Sequence, residues 1–259
     1  MKVVLFCGGL GLRIREYSER VPKPMVPIGN QPILWHVMKY YSYFGHRDFI
    51  LCLGHQGSVI KNYFLNQFDA FSSDFILSEG GKNIELLGSD SQDWTITFVD
   101  TGTSSNVGQR LKAVEDYLEG EEIFLANYCD GVTNFSLDHL VDSFTKSDQI
   151  AAFLSVRPVH SFHIVSTSDN GVVDLIQHIA NSDVRINGGY YIFRNKIFDY
   201  IHEGEELIEE PFQRLIKMKK LTAYKYDGYW ACMDTLKDKY LLDEMYAKGE
   251  APWEMWKAY

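Results

Sequence analysis

Before Asp69 the chain twice alternates a short β-branched or aromatic run with a stretch of helical periodicity, and this alternation restricts the fold more than any other feature. Lys2 to Cys7 is apolar on successive residues and stops abruptly at Gly8 and Gly9, the mark of a strand buried on both faces. After a glycine-rich, charged loop ending near Gly29, the residues Ile33, Leu34, Val37, Met38 and Tyr41 recur at helical spacing, with Pro32 suited to a first turn. Asp48 to Leu53 is a second buried strand and Val59 to Phe68 a second helix. Strand, helix, strand, helix predicts an α/β fold built on a doubly wound, mostly parallel sheet.

Further along, Asp69 to Asp93 has weak periodicity and reads as an irregular excursion with a short strand near Phe75. Trp94 to Val99 and Ile123 to Ala126 are strands, separated by a helix around Gln109 to Leu118, and the sheet continues to about residue 157. A smaller antiparallel β appendage should follow, because Ile164 to Ser168 and Val172 to Ile176 flank Asp169, Asn170 and Gly171, and Asn-Gly is a strong hairpin signal. Ile186 to Phe193, a helix near Ile197, an acidic helix start at Glu209 to Pro211 and a helix from about Thr235 to Ala247 complete the pattern. At 259 residues, one domain is expected, residues 1–259.

Thirty-five acidic against twenty-five basic residues give a formal charge of -10, with no dense Lys/Arg run to track a phosphate backbone. Nucleic acid is therefore not an expected partner. An acidic protein that handles an anionic substrate must gather its few cations at one place. The four cysteines, Cys7, Cys52, Cys129 and Cys232, have no zinc-site spacing and read as free thiols. The apolar run at Met1 to Cys7 is too short for a signal-peptide core, and no stretch approaches a membrane span. A cytoplasmic setting is the expectation.

Chemistry concentrates in Gly8-Gly9-Leu10-Gly11-Leu12-Arg13, followed by Pro22-Lys23-Pro24-Met25. Glycines after a strand let backbone N–H groups approach phosphate oxygens, and an arginine in the loop adds a bidentate donor. A dinucleotide fingerprint would need a glycine where Ile14 stands, and a P-loop would need Gly-Lys-Ser/Thr, which is absent. The loop reads as a triphosphate cradle, with a glycine turn that holds no ligand as the alternative.

Together these two segments resemble the signature of the sugar-phosphate nucleotidylyltransferases, and the match runs over nearly the whole chain to the glucose-1-phosphate cytidylyltransferase branch. Gln31 to His36, Val99 to Gly102 with Gly108 and Arg110 to Lys112, Cys129 to Val132, Ile186 to Gly189, Glu210-Pro211 and Met233 to Leu236 carry the resemblance in the same order. It implies a Rossmann-like fold with residues 1–157 binding nucleotide and residues 158–259 binding the acceptor. It also implies transfer of a cytidylyl group from CTP to a small phosphorylated acceptor with release of pyrophosphate. Lys23 would contact the α-phosphate, and Arg13 with the glycine-loop amides the β- and γ-phosphates. Asp130 and Asp234 would hold Mg²⁺, a hard cation suited to carboxylates and phosphates. Ser105 and Arg110 would read the base, with Cys129 beside the metal aspartate. Assemblies of three or six subunits occur in the family. A catalytically silent nucleotide-binding or partner-binding subunit of the same fold is the competing reading.

On the acceptor side the resemblance points to His178, Asn187, Gly188 and Glu210, but here the chain departs from its family. The family's Glu-Lys-Pro segment falls on Gln177-His178-Ile179, so a carboxylate and a fixed cation are missing; the alternative to a changed acceptor is that His178 and Arg185 restore the phosphate contact and other residues hold the sugar. Its Arg-Phe-Gly turn falls on Ser161-Phe162-His163. Leu12 replaces a usual threonine and Cys129 a usual glycine. A changed acceptor, other than glucose 1-phosphate, is the expectation.

Overall fold

The computed structural model describes residues 1–9, 21–67, 74–81, 83–87, 93–159 and 162–257. In chain order the strands are β1 (Lys2–Phe6), β2 (Pro27–Ile28), β3 (Gln31–Pro32), β4 (Asp48–Leu53), β5 (Asp74–Ser78), β6 (Asn83–Leu87), β7 (Thr95–Asp100) and β8 (Ile123–Asn127). They continue with β9 (Gly131–Thr133), β10 (Ala151–Val156), β11 (His163–Thr167), β12 (Val173–His178), β13 (Ile186–Arg194), β14 (Leu221–Tyr226) and β15 (Trp230–Cys232).

Seven of these form the central sheet in the order β14-β10-β13-β8-β1-β4-β7. Every neighbouring pair is parallel except the two that involve β13, which runs against β8 and β10. The sheet is therefore doubly wound and mostly parallel, as the sequence predicts. β1 shows why: Val3 and Leu5 pack with the helix Ile33–Tyr43 on one face, while Val4 and Phe6 pack with Leu111, Phe124 and Tyr191 on the other. A strand covered twice is apolar at every position rather than at alternate ones.

The chain passes from β1 to β4 and β7 on one side, then returns to β8 on the other. This reversal opens a crevice at the carboxyl end of β1, where open α/β sheets bind ligands. Because β13 is antiparallel, its first residues, Ile186 to Gly189, reach the same edge.

Among the described residues, four two-stranded antiparallel pairs decorate the sheet: β2 with β3, β5 with β6, β9 with β15, and β11 with β12. The Asp169-Asn170-Gly171 hairpin is present as β11–β12, and Gly171 takes φ +80 at its turn. The strand expected near Phe75 is one arm of the β5–β6 pair. The helix expected over Gln109 to Leu118 is split into an α-helix, Val107–Lys112, and a 3-10 turn, Glu115–Leu118, and the one near Ile197 is a 3-10 turn, Asn195–Tyr200. β14 is a strand that periodicity did not reveal, because it lies at the sheet's edge with only half its side chains turned inward. Among the described residues no helix is long and apolar enough to cross a membrane.

Near the end of the described residues, Trp253 and Trp256 pack on their own chain. Trp253 is buried, its indole N–H donates to His36 Nδ1 at 3.3 Å, and Trp256 meets Trp35 edge to face.

Candidate active site

Two aspartates far apart in sequence are brought together by a short strand pair. β8 ends at Asn127, whose side-chain oxygen accepts the Cys129 N–H at 2.7 Å and tightens the turn that follows. Cys129 sits there at φ +64, a left-handed conformation that explains why a glycine is usual at this position. β9 begins directly after Asp130 and pairs with β15, Gly131 opposite Cys232 and Thr133 opposite Trp230. The Met233 N–H then donates to the Asp130 carbonyl at 2.8 Å, so that Asp234 emerges beside Asp130. A capping box between Thr235 and Asp238 starts the helix Leu236–Ala247, and the Asp238 carboxylate also accepts the Asp234 N–H at 3.1 Å. The backbone on both sides of Asp234 is thus fixed.

Lys23 arrives from a 3-10 turn, Lys23–Met25, framed by Pro22 and the buried Pro24. Its ammonium donates to Asp130 Oδ2 at 2.7 Å and to Asp234 Oδ1 at 2.6 Å. Burial alone would lower the lysine's pKa, but the charges and hydrogen bonds of Asp130 and Asp234 outweigh it and hold it above its ordinary value. The lysine is therefore charged at neutral pH. The Cys232 thiol leans on Asp234 Oδ2 at 3.6 Å and is pushed up to about 12 by burial and by both carboxylates. This triad of one cation and two hard oxygen donors could hold a divalent metal and meet a phosphate at one point.

Of the glycine loop, Gly8 and Gly9 are described, Gly8 buried and Gly9 exposed at the end of β1. Leu10, Gly11, Leu12 and Arg13 lie outside the described residues. On the far side of β1, Ser105 is half-buried and donates to the Thr101 carbonyl at 2.5 Å. Arg110 lies against Gly8, 4% exposed, with its guanidinium directed at backbone carbonyls. Gln109 closes a capping box with Asn106. The Cys129 thiol packs against that of Cys7 at 3.7 Å.

Of the acceptor-side residues, Asn187 and Gly188 lie at the start of β13, whereas His178 and Glu210 lie on other elements. The Asn187 side chain donates to the Tyr191 hydroxyl and accepts the Gly189 N–H at 2.9 Å. The Gly188 carbonyl accepts the Trp230 indole N–H at 2.9 Å, and a Cβ on Gly188 would come within 3.0 Å of the Leu154 carbonyl. His178 is half-buried at the base of the β11–β12 hairpin, edge to face with His163 at 5.5 Å. Arg185 donates to the Ser155 and Tyr226 carbonyls, both at 3.1 Å, and to Asp227 at 2.5 Å. Those bonds engage its guanidinium within the fold. Glu210 opens the helix Glu210–Lys217, exposed, and accepts the Glu206 N–H at 3.2 Å. Ser161 lies outside the described residues.

Sequence reasoning missed Asn127 and Gly54, and it quoted Thr101 within a motif without giving it a role. Asn127 shapes the turn before Asp130, while Thr101 and Gly54 border the Arg110 guanidinium. A polar residue just past an apolar strand is the one available signal, and it does not separate a turn from a site.

The nucleotidyl transferase family profile matches residues 2–246. A glucose-1-phosphate cytidylyltransferase of Salmonella typhi is 36% identical over 258 residues, covering 99% of this chain and all of that protein. A D-glycero-alpha-D-manno-heptose 1-phosphate guanylyltransferase of Campylobacter jejuni is 26% identical, covering 93% of this chain and 97% of that one. In three dimensions a UDP-glucose pyrophosphorylase complexed with UDP-glucose superposes with a TM-score of 0.68 at 15% identity, over 96% of this chain and 98% of that one. It shares the fold. With its profile match over most of the chain and a full-length relative above a third identical, this protein belongs to the nucleotidyl transferase family and is a nucleotidyltransferase.

Proposed function

We propose that this enzyme transfers the cytidylyl group of CTP to a small phosphorylated acceptor, a sugar 1-phosphate or a related phosphate, with Mg²⁺ and release of pyrophosphate. The observation that carries the reading is the convergence of Lys23 on Asp130 and Asp234 at the crevice beside the glycine loop. An acceptor phosphate oxygen attacks the α-phosphorus, a P–O bond forms, and the bond to the β-phosphate oxygen breaks. The attacking phosphate monoester is largely dianionic at neutral pH, so no general base is required. The task left to the protein is alignment and neutralisation of charge.

Lys23 supplies a fixed cation for the α-phosphate, where negative charge is redistributed in the transition state. Asp130 and Asp234 fit Mg²⁺, which is typically held by one or two carboxylates together with substrate phosphates. When bound there, the metal would neutralise phosphate oxygens and polarise the α-phosphate. Arg13, Gly8, Gly9, Leu10, Gly11 and Leu12 are assigned to the β- and γ-phosphates, and Ser105, Arg110 and Cys129 to the nucleotide side. Asn187, Gly188, His178 and Glu210 are assigned to the acceptor side.

CTP as donor is supported by the relative from Salmonella typhi, which is named for cytidylyl transfer. The acceptor is proposed to differ from glucose 1-phosphate. Gln177-His178-Ile179 lacks the carboxylate and lysine of the family pattern, and Arg185 is engaged with Asp227 and two carbonyls. Each substrate polar group left unpaired costs roughly 1 to 3 kcal/mol. A matrix of the four triphosphates against sugar, polyol and amino-acid phosphates, read by pyrophosphate release and product mass, tests the whole reading. CTP with one acceptor should dominate, and release should stop with EDTA. A kcat/KM for glucose 1-phosphate above about 10⁴ M⁻¹s⁻¹ would sink the changed acceptor. No release with any pair would make the protein a silent binding subunit.

A further inference from the structure

Three parallel neighbours in the sheet, β1, β4 and β7, each run out into a glycine at the same edge: Gly8, Gly54 and Gly102. Arg110 comes up between them from the helix Val107–Lys112. One terminal nitrogen, Nη2, donates to the Gly8 carbonyl at 3.0 Å and to the Thr103 carbonyl at 3.5 Å. The other, Nη1, donates to the Leu53 carbonyl at 3.2 Å, the Thr101 hydroxyl at 2.7 Å and the Gly102 carbonyl at 2.9 Å.

The glycines make the socket. A Cβ on Gly8 would sit 2.0 Å from Nη1, and one on Gly54 would sit 2.8 Å from it while meeting the carbonyls of Gly8 and Gly102 at 2.9 Å. Gly102 adopts φ +90, which turns its carbonyl inward at no steric cost. Among the described residues no carboxylate lies within ion-pair distance of Arg110, and its bonds go to carbonyl and hydroxyl oxygens. Asp100 attracts this guanidinium through space, and the guanidinium sits against Gly8, where the segment assigned to the triphosphate begins.

We infer that Arg110 is a positioning residue that sets the glycine loop for the triphosphate, acting through the backbone of Gly8 and Gly102, without reading the base. The inference rests on the proposed nucleotide site over that loop. Ser105, whose hydroxyl lies 2.9 Å from where a Gly102 Cβ would stand, belongs to the same β7 loop, so Arg110 ties the loops that follow β1 and β7 into one unit.

The test is steady-state kinetics of Arg110→Ala and Arg110→Lys in the full-length enzyme with Mg²⁺, all four triphosphates and the acceptor found for the wild type. Arg110→Ala should raise KM for CTP about tenfold or more while KM for the acceptor stays within about twofold. All triphosphates should lose alike, so the CTP-to-UTP ratio of kcat/KM should shift less than about threefold. Guanidinium ion added at millimolar concentration should restore part of the loss in Arg110→Ala and do nothing for the wild type. Gly8→Ala, whose Cβ would collide with the guanidinium, should behave like Arg110→Ala, and the double variant should be no worse than either alone. If Arg110→Ala does not fold, Arg110→Lys and Gly8→Ala carry the same KM split in milder form. A collapse of the CTP-to-UTP ratio would make Arg110 a base reader and overturn the inference. So would equal rises in both KM values without guanidinium rescue, the mark of a residue that only holds the fold. A wild type that turns over no triphosphate removes the functional reading and this inference together. A wild type active on CTP with an unaffected Arg110→Ala removes the inference alone.

Discussion

Replacing Lys23 by methionine removes a charge and keeps nearly the same length, which isolates what the ammonium does between the two aspartates. Asp130 Oδ2 and Asp234 Oδ1 lie 2.7 and 2.6 Å from the lysine nitrogen, so the two oxygens are at most about 5.3 Å apart. At an effective dielectric constant of about 20, two unit charges at that distance repel by roughly 3 kcal/mol. The side chains keep 28% and 18% of their exposure, so solvent screens part of this, and a loss of about 1 to 2 kcal/mol in unfolding free energy is expected. Urea denaturation of wild type and variant in EDTA at neutral pH would measure it. Adding Mg²⁺ should then stabilise the variant more than the wild type, because in the wild type the lysine already neutralises the oxygens that the metal would take. Turnover should nevertheless fall by about 10² or more, since the cation on the α-phosphate is gone. Equal stabilisation of both proteins by Mg²⁺ would refute the shared-carboxylate argument, whatever happened to the rate.

Asp130→Asn and Asp234→Asn should each abolish Mg²⁺-dependent pyrophosphate release while leaving the far-UV circular dichroism unchanged, and a wild-type rate in either at saturating Mg²⁺ would reject the metal assignment. CTP should raise Tm more than ATP, GTP or UTP at equal concentration, since stabilisation grows with ligand concentration over Kd; equal shifts for all four would mean that no loop reads the base. His36 should make stability depend on acid. Burial lowers its pKa from 6.5 to about 4, its Nε2 faces the Ile28 carbonyl at 3.2 Å and its Nδ1 accepts from Trp253. Because the folded value is depressed, the stabilisation is present above about pH 6.5 and is lost as pH falls toward about 4, some 3 kcal/mol in all. The stability gap between wild type and His36→Gln, measured by urea at pH 7 and pH 4.5, should narrow on acidification. A constant gap would show that His36 does not titrate on unfolding in this range.

The class of fold was legible in local composition because a strand covered on both faces must be apolar throughout, as Lys2 to Cys7 and Asp48 to Leu53 are, and a helix against it must repeat every three to four residues, as Ile33 to Tyr41 does. The glycine loop was legible for a similar reason, since close backbone approach demands glycine at fixed places. Lys23, Asp130 and Asp234 could be named one at a time, but nothing local relates Lys23 to Asp234, which lie 211 residues apart. Their meeting depends on β9 pairing with β15 and on the Met233 to Asp130 hydrogen bond, both contacts between distant segments. The fate of Arg110 was hidden in the same way. Resemblance gave Arg110 to the base, and nothing local foretells that Gly8, Gly54 and Gly102 converge from three strands into a pocket in which it is buried. Arg185 looked available for a phosphate until Asp227, carried in from the end of the edge strand β14, took its charge. Sequence thus determined the features set by each residue's own backbone and immediate neighbours, while tertiary structure decided which charges meet, because an ion pair or a socket depends on distances that chain separation does not encode.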